Sequence, residues 1–177
     1  MNNKRKVLLI ILAVLLVATT VGTASAYMFK KSAPITNEFD PALVDCSVSM
    51  TKNGDTIESI QITNTGSIDA YLRIRIVTYW VNANGEIVYK PSSELNISTR
   101  SDWLRGSNNT FYYPSPVAPA GQLFLLADGF AFELAVEDDG TKQVIQVFGE
   151  AVQALPTSSV INAWGVKIEN NKITQVP

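Results

Sequence analysis

Four aromatic residues, Trp103, Phe111, Tyr112 and Tyr113, stand in a stretch otherwise rich in Ser, Asn and Pro. Rings on such a segment can do one of two things. They can stack on sugar rings, or they can pin a long loop to the body beneath it. A second cluster, Glu137-Asp138-Asp139 ahead of Gly140, carries oxygen ligands of the kind calcium takes. Three adjacent acids before a glycine are far more often a solvated hairpin turn, and that is the reading expected here. Arg73 and Arg75 alternate with Leu72, Ile74 and Ile76, so in a strand both arginines share one face. That face is either simply solvated or an anion or partner site. The single cysteine, Cys46, lies in the alternating run Cys46-Ser47-Val48-Ser49-Met50 and reads as a small inward-pointing hydrophobe rather than a reactive thiol.

The chain contains no histidine. Ser-His-Asp and Cys-His catalysis are therefore excluded, as is the His-Glu-x-x-His zinc helix. One cysteine cannot build a thiolate zinc site or an internal disulfide. Carboxylate chemistry is the remaining catalytic class, and no motif supports it. The expectation is a protein that is not an enzyme, with no cofactor and no metal.

The elements that must position these residues have a period of two almost throughout, the mark of strands. Ala70 to Val81 is the clearest. Val144 to Ala154 is apolar on both faces and reads as a central strand. Turns fall at Asn53-Gly54, Asn84-Gly85, Asp138-Asp139-Gly140 and Asn170-Asn171. At the first of these, a three-residue loop, Asn53-Gly54-Asp55, predicts Val48 opposite Ile60 and Cys46 opposite Ile62, with a bulge at Gly54. Residues 91–121 form a long irregular segment. Thr157 to Ala163 suits one short helical turn capped by Thr157 or Ser158. Trp80 and Trp164 are expected in the core. The pattern predicts an all-β, antiparallel β-sandwich of about seven to nine strands with one minor helix.

The front of the chain differs in kind. Lys4-Arg5-Lys6 precedes an apolar run from Val7 to Ala18, and small residues end in Ala24-Ser25-Ala26. This is the layout of a secretory signal peptide, with Ala24 and Ala26 at the −3 and −1 positions and cleavage before Tyr27. The competing reading, an uncleaved anchor, meets a run short of the ~20 apolar residues a spanning helix needs. The expected organisation is a signal peptide at 1–26, an arm at 27–41 with weak periodicity, and a sandwich domain at 42–177. Removing 1–26 takes three of the 14 basic residues and none of the 16 acidic ones, leaving a charge of 11 − 16 = −5. Such a surface argues against nucleic acid and anionic membranes as partners. Membrane contact is expected only through the signal segment.

Several segments, taken in order, resemble one family. These are Thr63-Asn64-Thr65-Gly66 with Ala70-Tyr71-Leu72-Arg73-Ile74-Arg75, and Trp80-Val81-Asn82-Ala83-Asn84-Gly85. They continue with Trp103, Gly106, Phe111-Tyr112-Tyr113 and Pro116-Val117-Ala118-Pro119-Ala120-Gly121. Glu150-Ala151-Val152-Gln153-Ala154, Ala163-Trp164-Gly165 and Ala26-Tyr27-Met28-Phe29 complete the set. The pattern is similar to that of the TasA/camelysin-like exported proteins of Gram-positive bacteria, many processed by a dedicated signal peptidase. Where that family often has Pro-Gly, this chain has Pro119-Ala120-Gly121. The resemblance implies a jelly-roll-type sandwich and a place in the biofilm matrix or on the cell surface. It also implies self-association or association with other matrix proteins, in which the N-terminal segment of one subunit adds as a strand to the next. By position, residues 27–40 would be that segment. Tyr27, Phe29, Ile35 and Phe39 would share one face of an extended arm. The protease activity described for camelysin-like members is not carried over, because the histidines of a usual zinc protease are missing. The alternative expectation is a carbohydrate- or surface-binding module that uses Trp103, Phe111, Tyr112 and Tyr113.

Overall fold

The computed structural model describes residues 41–90 and 95–177. The leader with Ala24 and Ala26, and the arm with Tyr27, Phe29, Ile35 and Phe39, lie outside the described residues. The described chain is all-β and antiparallel, with one short helix. It contains β1 (Cys46–Asn53), β2 (Thr56–Asn64), β3 (Ala70–Val81), β4 (Ile87–Val88), β5 (Leu104–Arg105) and β6 (Thr110–Tyr112). There follow β7 (Gln122–Phe124), β8 (Phe132–Glu133), β9 (Lys142–Gln153), the helix α1 (Ser158–Trp164), β10 (Lys167–Glu169) and β11 (Lys172–Gln175). Eight of these strands have three or more residues; β4, β5 and β8 have two.

The first sheet runs β1-β2-β7, with β8 also on β2. The second runs β4-β3-β6-β5, with β9 along the other side of β3. Ile60 and Ile62 of the first sheet meet Leu72, Ile74 and Ile76 of the second in one buried cluster that also takes in Phe111, Leu125 and Ile145. The sheets approach closely at Gly149 of β9. A Cβ there would stand 2.4 Å from Val48 Cγ2 and 3.3 Å from Cys46 Sγ. A third layer lies on the outer face of the second sheet. It consists of α1 and the β10–β11 hairpin, and it buries Tyr71, Tyr112, Val160, Trp164, Val166 and Ile173 together. Leu104, Val152, Ile168 and Val176 close around that cluster. Gly165, at φ +67°, ends α1 by donating its N–H to the Ile161 carbonyl. Asn170 and Asn171, at φ +50° and +58°, make the tight turn between β10 and β11.

Two expectations are corrected. The first hairpin closes through Gly54-Asp55 with Asn53 opposite Thr56, and its bulge sits at Thr51/Lys52 rather than at Gly54. Val48 therefore opposes Ile62 and Cys46 opposes Asn64. Gly54 at φ +60° supplies the positive φ that a two-residue loop takes at its first central position. The slip is by two residues, so the apolar residues keep their face and the core is the same in either register. The second correction concerns β9. It pairs with β3 along its whole length. From Val144 onward no other described strand pairs with it, so within the described chain it is an edge strand. Its apolar residues on both faces have another origin. Ile145, Val147 and Ala151 face the first sheet, and Val152 lies under the third layer. Burial by layers imitates burial by neighbours.

Candidate assembly surface

The longest unpartnered edge of the described chain is the outer side of β9, from Val144 to Gln153. At its start the edge is occupied: Val136 bridges Lys142, and Gln143 donates its N–H to the Ala135 carbonyl at 2.7 Å. Beyond that, half-buried Val144, Val147, Phe148 and Val152 fringe the edge. The outer side of β1 is likewise without a described partner. Because β1 packs over β9 at Gly149, the two free edges lie on the same side of the sandwich. Backbone N–H and C=O groups along such edges are templates for another strand.

The base of β9 is held by a polar clip. Arg73 donates from Nε and Nη2 to Glu150 Oε2 at 3.0 and 2.5 Å, and from Nη1 to the Tyr112 hydroxyl at 3.2 Å. Its guanidinium lies 4.8 Å from the Trp164 ring centroid. Only 18% of the Arg73 side chain is exposed, against 49% for Arg75. Arg73 is therefore neither a solvated residue nor an open anion site: the third layer covers it, and Glu150 neutralises it.

A second knot forms around Asn64, which is fully buried. Its side-chain amide donates to the Ile68 and Val117 carbonyls at 2.9 and 2.8 Å and accepts from Gly66 N–H at 3.0 Å. Its backbone N–H reaches the Gly121 carbonyl at 3.0 Å. A Cβ on Gly66 would meet the Leu43 carbonyl at 2.4 Å, which requires glycine there. Leu43 and Ser67 exchange two hydrogen bonds of 2.9 Å, which tie the start of the described domain to the β2–β3 turn. Beside this knot is an open apolar pocket of about 430 Å³ lined by Ile68, Asp69, Tyr71, Pro116, Ala154, Leu155 and Asn171.

The rings of the aromatic segment turn into the protein, while Arg105, Ser107 and Asn108 between them are exposed. Trp103, Phe111 and Tyr112 are buried and Tyr113 is half-buried. Trp103 donates Nε1–H to the Phe124 carbonyl at 2.9 Å and meets Tyr113 edge to face at 5.6 Å. Phe111 belongs to the core between the sheets, and Tyr112 to the cluster beneath the third layer. These rings pin residues 103–113 to the sandwich, and a sugar could stack on Trp103, Phe111 or Tyr112 only after the core had opened. Trp80 and Trp164 are buried as expected.

The acidic triplet forms a turn. Gly140 donates to the Glu137 carbonyl at 3.0 Å. Asp139 accepts from Lys90 Nζ at 2.8 Å, Thr141 N–H at 2.9 Å and Thr141 Oγ1 at 2.6 Å. The Lys90 bond, followed by those from Thr141, holds the Asp139 carboxyl well below the usual carboxylate range. Among the described residues, no group of three or more Cys, Asp or Glu side chains is placed to hold a metal ion. Burial, reinforced by the negative charges of Asp45 and Glu150, pushes the half-buried Cys46 thiol up to about 11. Among the described residues no helix is long and apolar enough to cross a membrane.

Compared with known proteins, the chain matches no family model, and no curated protein or solved structure at a significant level.

Proposed function

We propose that this chain is an exported structural protein of a bacterial cell surface or biofilm matrix, and that it assembles rather than catalyses. In this reading the leader is removed before Tyr27 by a signal peptidase. Residues 27–40 of one copy then add as a strand to a sheet edge of another. Tyr27, Phe29, Ile35 and Phe39 supply the side chains that choose the register. The jelly-roll character and membership of the TasA/camelysin-like group belong to the same proposal and rest on the motifs quoted above.

The observation that carries the reading is the β9 edge. Along the ten residues Val144 to Gln153, the N–H and C=O groups directed away from β3 have no strand partner in the described chain, and apolar side chains flank them. An edge of that length is usually shortened, charged or covered in a protein that remains monomeric. Here Glu150 is the only ionised side chain along it, and Arg73 neutralises it. Main-chain hydrogen bonding supplies affinity in strand addition, and side chains on alternate positions supply specificity.

The test is electron microscopy and light scattering of the purified protein over time, with and without residues 27–40. The intact protein is expected to form filaments and the truncated one to remain monomeric. Filaments that form equally readily from the truncated protein would remove the arm from the mechanism.

A further inference from the structure

The first sheet has a notch in it. β7 pairs with β2 at Gln61 to Thr63, and β8 pairs with the same side of β2 at Thr56 and Ile57. Between these pairings the chain leaves the sheet after Leu125, which donates its N–H to the Ile60 carbonyl at 2.9 Å. It turns at Ala127 to Gly129, where Phe130 N–H closes on the Ala127 carbonyl at 3.0 Å, and then returns. The gap left over Glu58 to Ile60 is an open pocket of about 280 Å³. Phe124 forms one wall and is 45% exposed. Arg100 and Asp128 also line the pocket, locked together by a 2.7 Å ion pair. Glu58 and Ser59 add polar groups to the lining, and the buried Ile60 and Leu126 form its floor together with Ala127 and Gly129.

The face leading to the notch has an unusual composition. Its cross-strand rows are Ser47–Thr63–Gln122, Ser49–Gln61–Phe124 and Thr51–Ser59, with no charged side chain and a single aromatic one. Strands about 4.8 Å apart therefore present a flat field of hydroxyls and amides that ends in one ring. A protein partner would call for a contiguous exposed apolar centre, which Phe124 does not supply alone, since Ile60 and Leu126 beside it are buried. An anionic polymer would meet two carboxylates and one guanidinium at the notch, on a chain of acidic pI. A neutral sugar suits all of these features. It has an apolar ring face for Phe124 and hydroxyls able to donate to Asp128 and Glu58 and to accept from Arg100. Further hydroxyls along the same polymer suit the Ser, Thr and Gln field.

We propose that this notch is a binding site for a neutral polysaccharide. One sugar ring stacks on Phe124, Arg100 and Asp128 hold its hydroxyls, and the adjoining residues of the polymer run over the Ser49–Gln61 face. The site is separate from the β9 edge and does not depend on strand addition.

The test is affinity electrophoresis of the purified protein through gels containing a soluble β-glucan, a galactomannan or starch, with hyaluronan as the acidic contrast. Mobility is normalised to a polymer-free gel, so that self-assembly cancels. At least one neutral polymer is expected to retard the protein and hyaluronan is not. Phe124→Ala is expected to weaken that retardation at least tenfold, and Phe124→Trp to keep it within about threefold. Asp128→Asn, on an exposed turn, provides a second reading should Phe124→Ala fail to fold, and is expected to weaken binding severalfold. Thermal unfolding confirms that each variant is folded. Retardation by none of the neutral polymers, retardation by hyaluronan alone, or equal retardation of folded Phe124→Ala and Asp128→Asn would each overturn the proposal.

Discussion

The outer faces of the two sheets were built in opposite ways from similar patterns. On the first sheet, Ser47, Ser49 and Thr51 of β1 and Ser59, Gln61 and Thr63 of β2 face outward and remain at the surface. On the second, Tyr71 and Arg73 also face outward from their strand, yet α1 and the β10–β11 hairpin cover them. Alternation of polar and apolar residues was thus correct about which side chains share a face and silent about what lies on it. A covering layer needs large side chains that can close over the strand. Tyr71, Tyr112 and Trp164 provide them on the second sheet. Among the described residues, the first sheet has only Phe124 at its margin. A face of hydroxyls and amides gives a covering element little apolar area to bury, and burial of such area is the main driving force for packing.

That contrast can be broken most sharply at Trp164. Trp164→Ala removes the ring that lies over Arg73 and packs against Tyr112 at 5.7 Å. It is expected to destabilise the protein by about 3–5 kcal/mol, the range for large-to-small changes at buried aromatics, as measured by denaturant unfolding. Glu150→Gln tests the polar half of the same cover. It leaves the Arg73 guanidinium without its counter-charge in a partly exposed site. A loss of about 1.5 kcal/mol is expected, between an exposed ion pair and a buried one broken on one side. A loss equal to that of Trp164→Ala would mean that the charge, rather than the ring, holds the layer.

Between the two sheets, Cys46 should give the protein a weak alkaline sensitivity. Its folded pKa of about 11 lies above the ordinary thiol value of 9.0. The contribution is therefore fully present below pH ~9 and is lost as pH rises through ~11. Cys46→Val should flatten the stability-versus-pH curve in that window, and Cys46 in the folded wild type should react slowly with iodoacetamide at pH 8. The smallest effect is expected on the bare face. Ser49→Ala and Thr63→Ala should each change stability by no more than about 0.5 kcal/mol, as exposed substitutions do. A cost above 2 kcal/mol for either would show that this face is covered.

The motifs that suggested a family relationship meet in two structural knots. Asn64 and Gly66 of one motif meet Val117 and Gly121 of another, because a buried amide must satisfy both its donor and its acceptor groups. Arg73, Tyr112, Glu150 and Trp164, from four separate segments, meet around one guanidinium. Sequence spacing identified the members but not the meeting points, since their separations along the chain are dictated by loops. The first hairpin shows another limit. Two registers differing by two residues bury the same apolar face, so periodicity could not choose between them, and the bulge at Thr51/Lys52 decided. The candidate sugar notch was equally hidden. Phe124 stands in the apolar run Leu123-Phe124-Leu125, but the gap between β7 and β8 exists only once both are paired with β2.

By itself the sequence determined the all-β class, the inward and outward sides of each long strand, most turns, and the exclusion of histidine chemistry. These follow from backbone stereochemistry and side-chain identity, which act over a few residues. Tertiary structure alone decided that, among the described residues, β9 is an edge strand, that Arg73 is covered while Ser49 is bare, and that the rings of Trp103, Phe111 and Tyr112 are buried. Each of these depends on which distant segment packs against a given face, and that is settled by the apolar area the whole chain can bury at once.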